Sequence, residues 1–302
     1  MKKIPVWKNI LLIFSVIVAV IIATFAWFYT GPRAEVYDLT VDMGEASYVQ
    51  ISGNGGANWS DNLDVNIGVL DGIKELSGNG TTLYAPVYDT VKNDAGGYST
   101  EIVAFEEVEA NEKHYEQIFE FRSDVDQDLY LSPDSYVKAV SDERVGYIDG
   151  AIRVGFYEVD ANGREFLKCI WAPSSKVEFS AGTDSFKREG TVEPYYYYLK
   201  NPTSGDLSSL EDGVTNSSVA KIPTGYAHCG YNAEHKFMWS CGEDLPENAP
   251  SLLTVSAGSG DDFQYKKMKI KVWLEGYDRE CVSQLSGQKF TMKLHFSAER
   301  GE

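Results

Sequence analysis

Residues 10–29 constrain this chain more than any other stretch. From Ile10 to Tyr29 there is no charged residue, and only Ser15 and Thr24 interrupt the apolar side chains. Twenty residues at a helical rise of about 1.5 Å span roughly 30 Å, the thickness of a bilayer's hydrocarbon core. Lys2, Lys3 and Lys8 precede the run, and Glu35, Asp38 and Asp42 follow it. That asymmetry predicts residues 1–9 as a cytoplasmic n-region and puts everything after Gly31 outside the cell. A cleaved signal has a shorter apolar stretch, about 7–15 residues, and a small-x-small cleavage site. Here the run ends in the bulky cluster Ala26-Trp27-Phe28-Tyr29, and Ala23-Thr24-Phe25-Ala26 misses the spacing by one. The segment therefore reads as a retained transmembrane helix, a single-pass signal anchor. Removal by a specialised signal peptidase, giving a secreted protein, is the alternative. Gly31-Pro32 stops the helix, and strand structure is expected to begin at about Glu35–Val41.

Four of the 27 basic residues and none of the 45 acidic ones lie before residue 34, so residues 34–302 carry a net charge of −22. Nucleic-acid binding needs a basic footprint, which is missing. Such a charge favours solubility and repulsion between neighbours at a surface. No second long apolar run follows, which excludes a multi-pass transporter.

Beyond residue 33 the dominant period is two. In His114–Arg122, Tyr115, Phe119 and Phe121 fall on one face, with Glu116, Glu120 and Arg122 on the other. Ala151–Val159 and Glu165–Ala172 flank Asp160-Ala-Asn-Gly163, a hairpin signal because Asn and Gly tolerate positive φ. Phe166, Leu167, Ile170 and Trp171 make the second of these strands apolar on both faces, as a central strand would be. Met268, Ile270, Val272 and Leu274 alternate with Lys267, Lys269, Lys271 and Trp273. Phe290, Met292, Leu294 and Phe296 alternate with Lys289, Lys293 and His295. Short strands between Gly/Asn/Asp/Ser loops predict an all-β domain over 34–302, an antiparallel β-sandwich with loop insertions. Residues 52–62 form a Gly/Asn-rich loop. Residues 200–262 read as a large surface insertion, with little alternation outside Leu252–Val255.

Cys229 and Cys241 are close enough in sequence to staple one loop as a disulfide, leaving Cys169 and Cys281; other connectivities and free thiols stay open. The same loop holds His228 and His235, four soft ligands within a short span, yet a disulfide with exposed histidines is the simpler reading. The helical His-Glu-x-x-His zinc signature is absent. Asp124-Val-Asp126-Gln-Asp128 alternates like a calcium loop but has Leu129 and Ser135 where glycine and a bidentate glutamate belong. A solvated acidic turn is expected there. Glu275 and Asp278 are read as caps of a turn at Gly276. Nothing singles out a catalytic pair among 45 acids, and no nucleophile–base spacing appears. No catalytic residue, cofactor or metal ligand is therefore assigned. Tyr195, Tyr196, Tyr197 and Tyr198 put two amphipathic rings on each face of a strand; with Trp59 they are the candidate ligand contacts.

Several ordered segments resemble the TasA/camelysin family of Gram-positive surface proteins. They are Thr24-Phe25-Ala26-Trp27-Phe28-Tyr29, Val49-Gln50-Ile51-Ser52 followed by Trp59-Ser60, and Phe121-Arg122-Ser123 leading to Leu129-Tyr130-Leu131 and Ser135. Ile170-Trp171-Ala172-Pro173 and Ile270-Lys271-Val272-Trp273-Leu274-Glu275-Gly276-Tyr277-Asp278 complete the set. The resemblance implies a jelly-roll-like sandwich, export through a dedicated signal peptidase, and a cell-surface or biofilm-matrix role with self-association into fibres. The long apolar segment and the 200–262 insertion depart from the family pattern.

The expected function is thus that of a non-enzymatic structural protein of the cell surface or extracellular matrix, tethered to the membrane or secreted. The alternative is a surface adhesin that binds a wall or host polysaccharide through Trp59 and Tyr195–Tyr198.

Overall fold

A computed structural model describes residues 33–43, 48–65, 73–78, 82–92, 97–110, 112–132, 134–140, 147–179, 188–197, 251–258, 264–276, 281 and 285–297. The 10–29 segment, Tyr198, Cys229, Cys241 and most of the 200–262 insertion lie outside these residues. Among the described residues no helix is long and apolar enough to cross a membrane.

The described chain is almost wholly β. Its strands are β1 (Arg33–Asp42), β2 (Val49–Ser52), β3 (Asn62–Val65), β4 (Ile73–Gly78), β5 (Leu83–Lys92), β6 (Tyr98–Glu107), β7 (Tyr115–Ser123) and β8 (Gln127–Leu131). There follow β9 (Tyr136–Ala139), β10 (Ile152–Val159), β11 (Glu165–Phe179), β12 (Arg188–Tyr197), β13 (Leu253–Val255), β14 (Lys266–Glu275) and β15 (Gln288–Ser297). One four-residue helix, α1 (Ile148–Ala151), leads into β10. Strand structure starts at Arg33, directly after the Gly31-Pro32 pair.

The period-two reading holds where it was strongest. Tyr115, Phe119 and Phe121 of β7 are buried, as are Phe290, Met292, Leu294 and Phe296 of β15. β10 and β11 pair through the expected turn, with Gly163 at φ 79°. Asp160 Oδ1 accepts the backbone N–H groups of Asn162 (2.8 Å) and Arg164 (2.9 Å), so the acid caps its own turn. β11 then runs on to Phe179 and lies between β10 and β12.

The sheet is mixed, not antiparallel throughout. β2, β7, β14, β10, β11 and β12 form one antiparallel succession. β1 instead pairs with β15 in parallel, from Ala34↔Gln288 to Asp42↔His295, with a bulge that leaves Tyr37 unpaired in this ladder. β3 lies on the other side of β1, and β9 pairs with β15. β4 joins the two groups: it pairs antiparallel with β1 and parallel with β14. Parallel pairing needs a long connection between partners, and strands far apart in sequence supply it.

One buried apolar cluster takes side chains from both groups, including Leu39, Val41, Phe156, Ile270 and Leu294. The ring of Phe296 meets Phe121 (5.8 Å, 85°) and Phe156 (6.0 Å, 82°) edge to face. These contacts bring the inward row of β15 against those of β7 and β10. The far end of the 200–262 segment belongs to this core rather than to a surface insertion: β13 pairs with β8, and Leu252, Leu253 and Val255 are buried.

The outward row of β14 departs from simple alternation. Trp273 is fully buried and Lys271 nearly so. Trp273 pairs in register with Arg153, itself fully buried, and donates its indole N–H to Glu275 at 3.3 Å.

Candidate functional site

The Gly/Asn loop after β2 is a closed structure built on its own side chains. At its neck Ile51 and Ser60 exchange both backbone hydrogen bonds (2.8 and 3.1 Å). Ser52 Oγ accepts the N–H of Gly56 at 3.0 Å and donates to Asn54 Oδ1 at 2.8 Å. Asn54 Oδ1 also accepts the N–H of Asn58 at 3.1 Å. Gly55 and Gly56 take φ of 72° and 78°, the left-handed region that a side chain would resist. From β7, Gln117 Nε2 donates to the carbonyl of Gly53 at 3.0 Å. A pocket of about 270 Å³ opens between this loop and β3, bounded by Asn54, Asn58, Leu63, Asp64 and Gln117.

The loop delivers Trp59 onto the outer face of β7 and β14. Its ring stacks on Tyr265 with centroids 5.2 Å apart and planes 21° from parallel. The Arg122 guanidinium lies 4.4 Å from its ring centre, a cation–π contact. Arg122 is held in turn by Gln50 of β2, whose Oε1 accepts from Nε at 2.9 Å and Nη2 at 2.6 Å. Phe121 pairs with Lys266 in the β7–β14 register, so the next residues along, Arg122 and Tyr265, come side by side.

On the same face, further along the strands, lies an ion-pair network. Lys269 Nζ contacts Glu116 (3.1 Å) and Glu165 (2.5 Å), and Lys271 Nζ contacts Glu165 (3.2 Å) and Glu116 (3.7 Å). Lys271 also sits 4.8 Å from the ring centre of Tyr157. His114 Nε2 donates to Glu116 at 3.3 Å. That hydrogen bond, followed by those and the charges of the lysines, outweighs desolvation and holds the Glu116 carboxyl down at about 2.

The sequence reading missed the burial of two acids. Glu275, expected as a cap of the turn at Gly276, is fully buried: Ser77 Oγ donates to its Oε1 at 2.6 Å. Just past the end of β14, the Gly276 N–H donates to the Leu76 carbonyl of β4 at 2.6 Å, extending the pairing of these two strands. Glu75, one strand over, accepts the phenol of Tyr88, and burial pushes its carboxyl up to about 7. Two acids of the 124–128 segment tie it to the chain around β13: Asp126 Oδ1 accepts the N–H of Ala257 (2.7 Å), and Asp128 Oδ1 the hydroxyl of Thr254 (2.6 Å).

Of the candidate ligand contacts, Trp59 sits on this face at the β2–β7 edge. Tyr195, Tyr196 and Tyr197 lie on β12, paired with Ala172, Trp171 and Ile170. β2 and β12 are at opposite ends of the antiparallel succession, five ladder steps apart, or on the order of 24 Å at about 4.8 Å per step. The structure does not join them into one site. Trp59's partners are instead Tyr265 and Arg122, foreshadowed only by the outward position of Arg122 in the β7 alternation. No protein-family model, curated protein or solved structure matches the chain.

Proposed function

We propose that this chain is a non-enzymatic structural protein of the cell surface. In this reading residues 10–29 hold it in the membrane, or are removed by a dedicated signal peptidase, and the β domain faces the wall or medium. The observation that carries the reading is the junction. Strand β1 starts at Arg33, and its Ala34, Leu39 and Val41 side chains enter the common core. The β domain thus begins as soon as the apolar segment ends, as a surface domain next to its tether would.

The domain is read further as a jelly-roll-like sandwich. The edge-to-face contacts of Phe296 with Phe121 and Phe156, which set the inward rows of β15, β7 and β10 against one another, support it. The segments resembling TasA/camelysin proteins support a matrix or surface role, in which the net charge of −22 on residues 34–302 keeps neighbouring copies apart until specific contacts form.

Fractionation of the native host tests the proposal. A full-length band in the soluble cytosol would overturn it. Mass spectrometry of the N-terminus separates its two forms. An intact or Met-trimmed terminus in the membrane fraction establishes the tether, and a mature terminus between Trp27 and Glu35 establishes secretion.

A further inference from the structure

We infer that the Trp59–Tyr265 stack is a binding platform for a neutral pyranose chain. Tyr265 is half-exposed, at 52 %, yet its ring is already oriented, lying nearly parallel to Trp59 at 5.2 Å. Trp59 is fixed by the cation of Arg122 at 4.4 Å, and Arg122 by its two hydrogen bonds to Gln50. Aromatic surface held in place before a ligand arrives loses little conformational freedom on binding. A pyranose ring matches such a surface because it offers a flat C–H face to the ring and hydroxyls at its rim. The rim groups meet polar neighbours: Lys267 and Glu120, 3.5 Å apart in an ion pair, stand beside the platform on the same strand faces.

A peptide is the poorer fit. Addition of an extended peptide needs a free backbone edge, and β7 beneath the platform is paired on both sides, with β2 and with β14. A polyanion is disfavoured by the chain's net charge of −18. The inference goes beyond the surface role and is separable from it: the protein can be tethered at the surface whether or not the platform binds sugar.

The test uses the full chain in lipid nanodiscs, titrated calorimetrically with cellohexaose and with chitohexaose. Saturable binding to at least one is expected, weakened about tenfold by Tyr265→Ala and retained by Tyr265→Phe. Tyr37→Ala, which removes an even more exposed ring from β1, leaves it unchanged. Because Tyr265 is half-exposed, its variants should melt with the parent, which separates lost binding from lost fold. Absence of saturable binding to either hexaose overturns the inference, as does binding indifferent to Tyr265→Ala. Tyr265-dependent binding to a basic random-coil peptide, with none to the sugars, assigns the platform to a protein partner and also overturns it.

Discussion

The phenol of Tyr88 on β5 donates a hydrogen bond to the carboxyl of Glu75 on β4, tying the β5–β6 hairpin to the strand that joins the two halves of the sheet. Burial raises this carboxyl from the ordinary 4.5 to about 7, so the folded state prefers the protonated form. Its contribution to stability is complete below about pH 4.5 and is lost as pH rises through 7, a change of roughly 3 kcal/mol at about 1.4 kcal/mol per unit. Denaturant titrations of the parent and Glu75→Gln should agree near pH 4.5, with the variant the more stable at pH 8. A parent more stable than the variant at pH 8 would contradict this assignment.

Glu116 has the opposite sign. Held at about 2 by His114, then by Lys269 and Lys271, it stabilises the fold above about pH 4.5 and loses that contribution as pH falls through 2. Replacing it by glutamine leaves two largely buried lysines to share Glu165. A loss of about 2 kcal/mol at pH 7 is expected, less than for a fully buried pair because Lys269 and Glu165 keep some solvent. Urea midpoints of parent and Glu116→Gln should converge as the pH is lowered toward 2.

Gly155 has no room for a side chain. A Cβ there would lie 2.6 Å from the phenolic oxygen of Tyr157 and 2.8 Å from its ring, and Tyr157 is 1 % exposed and unable to swing away. Gly155→Ala should cost about 2 kcal/mol as overpacking. Tyr157→Leu, which shortens the clashing group, should make the double variant less destabilised than the sum of the singles. Additive losses in thermal unfolding would show that the ring is not the obstacle.

Gln288 opens the inward row of β15 with an amide whose nitrogen and oxygen are buried and make no hydrogen bond. Such a group is costly to desolvate. Gln288→Met keeps the volume and removes the polar atoms, so it should raise stability by about 1–2 kcal/mol. A lowered melting temperature would reveal that a water or another group satisfies the amide.

Local pattern made part of this fold legible. Period-two runs in β7 and β15 and the Asp160–Gly163 turn each depend on neighbours in sequence, and the chain folds there as the pattern says. The β1–β15 pairing was not legible, because alternating residues look the same whether the partner strand runs parallel or antiparallel. Nor was the burial of Trp273, Lys271 and Glu275, which depends on Arg153, Glu116, Glu165 and Ser77 arriving from distant strands. The site was half legible for the same reason. Trp59 stands out as a lone aromatic in a Gly/Asn loop, whereas its pairing with Tyr265 follows from the β7–β14 register. The tyrosine run drew attention by composition, yet β12 carries it to the other end of the succession.

The parallel β1–β15 ladder also sets how the domain responds to force. Its eight register pairs begin at Ala34↔Gln288 and end at Asp42↔His295, so the start of β1 and the finish of β15 lie at opposite ends of one ladder. Tension pulling these two points apart slides the strands past each other and loads all the rungs together. Peeling would break them one after another. A domain pulled through these strands behaves as a clamp, holding its shape under stretch until the whole ladder gives way at once.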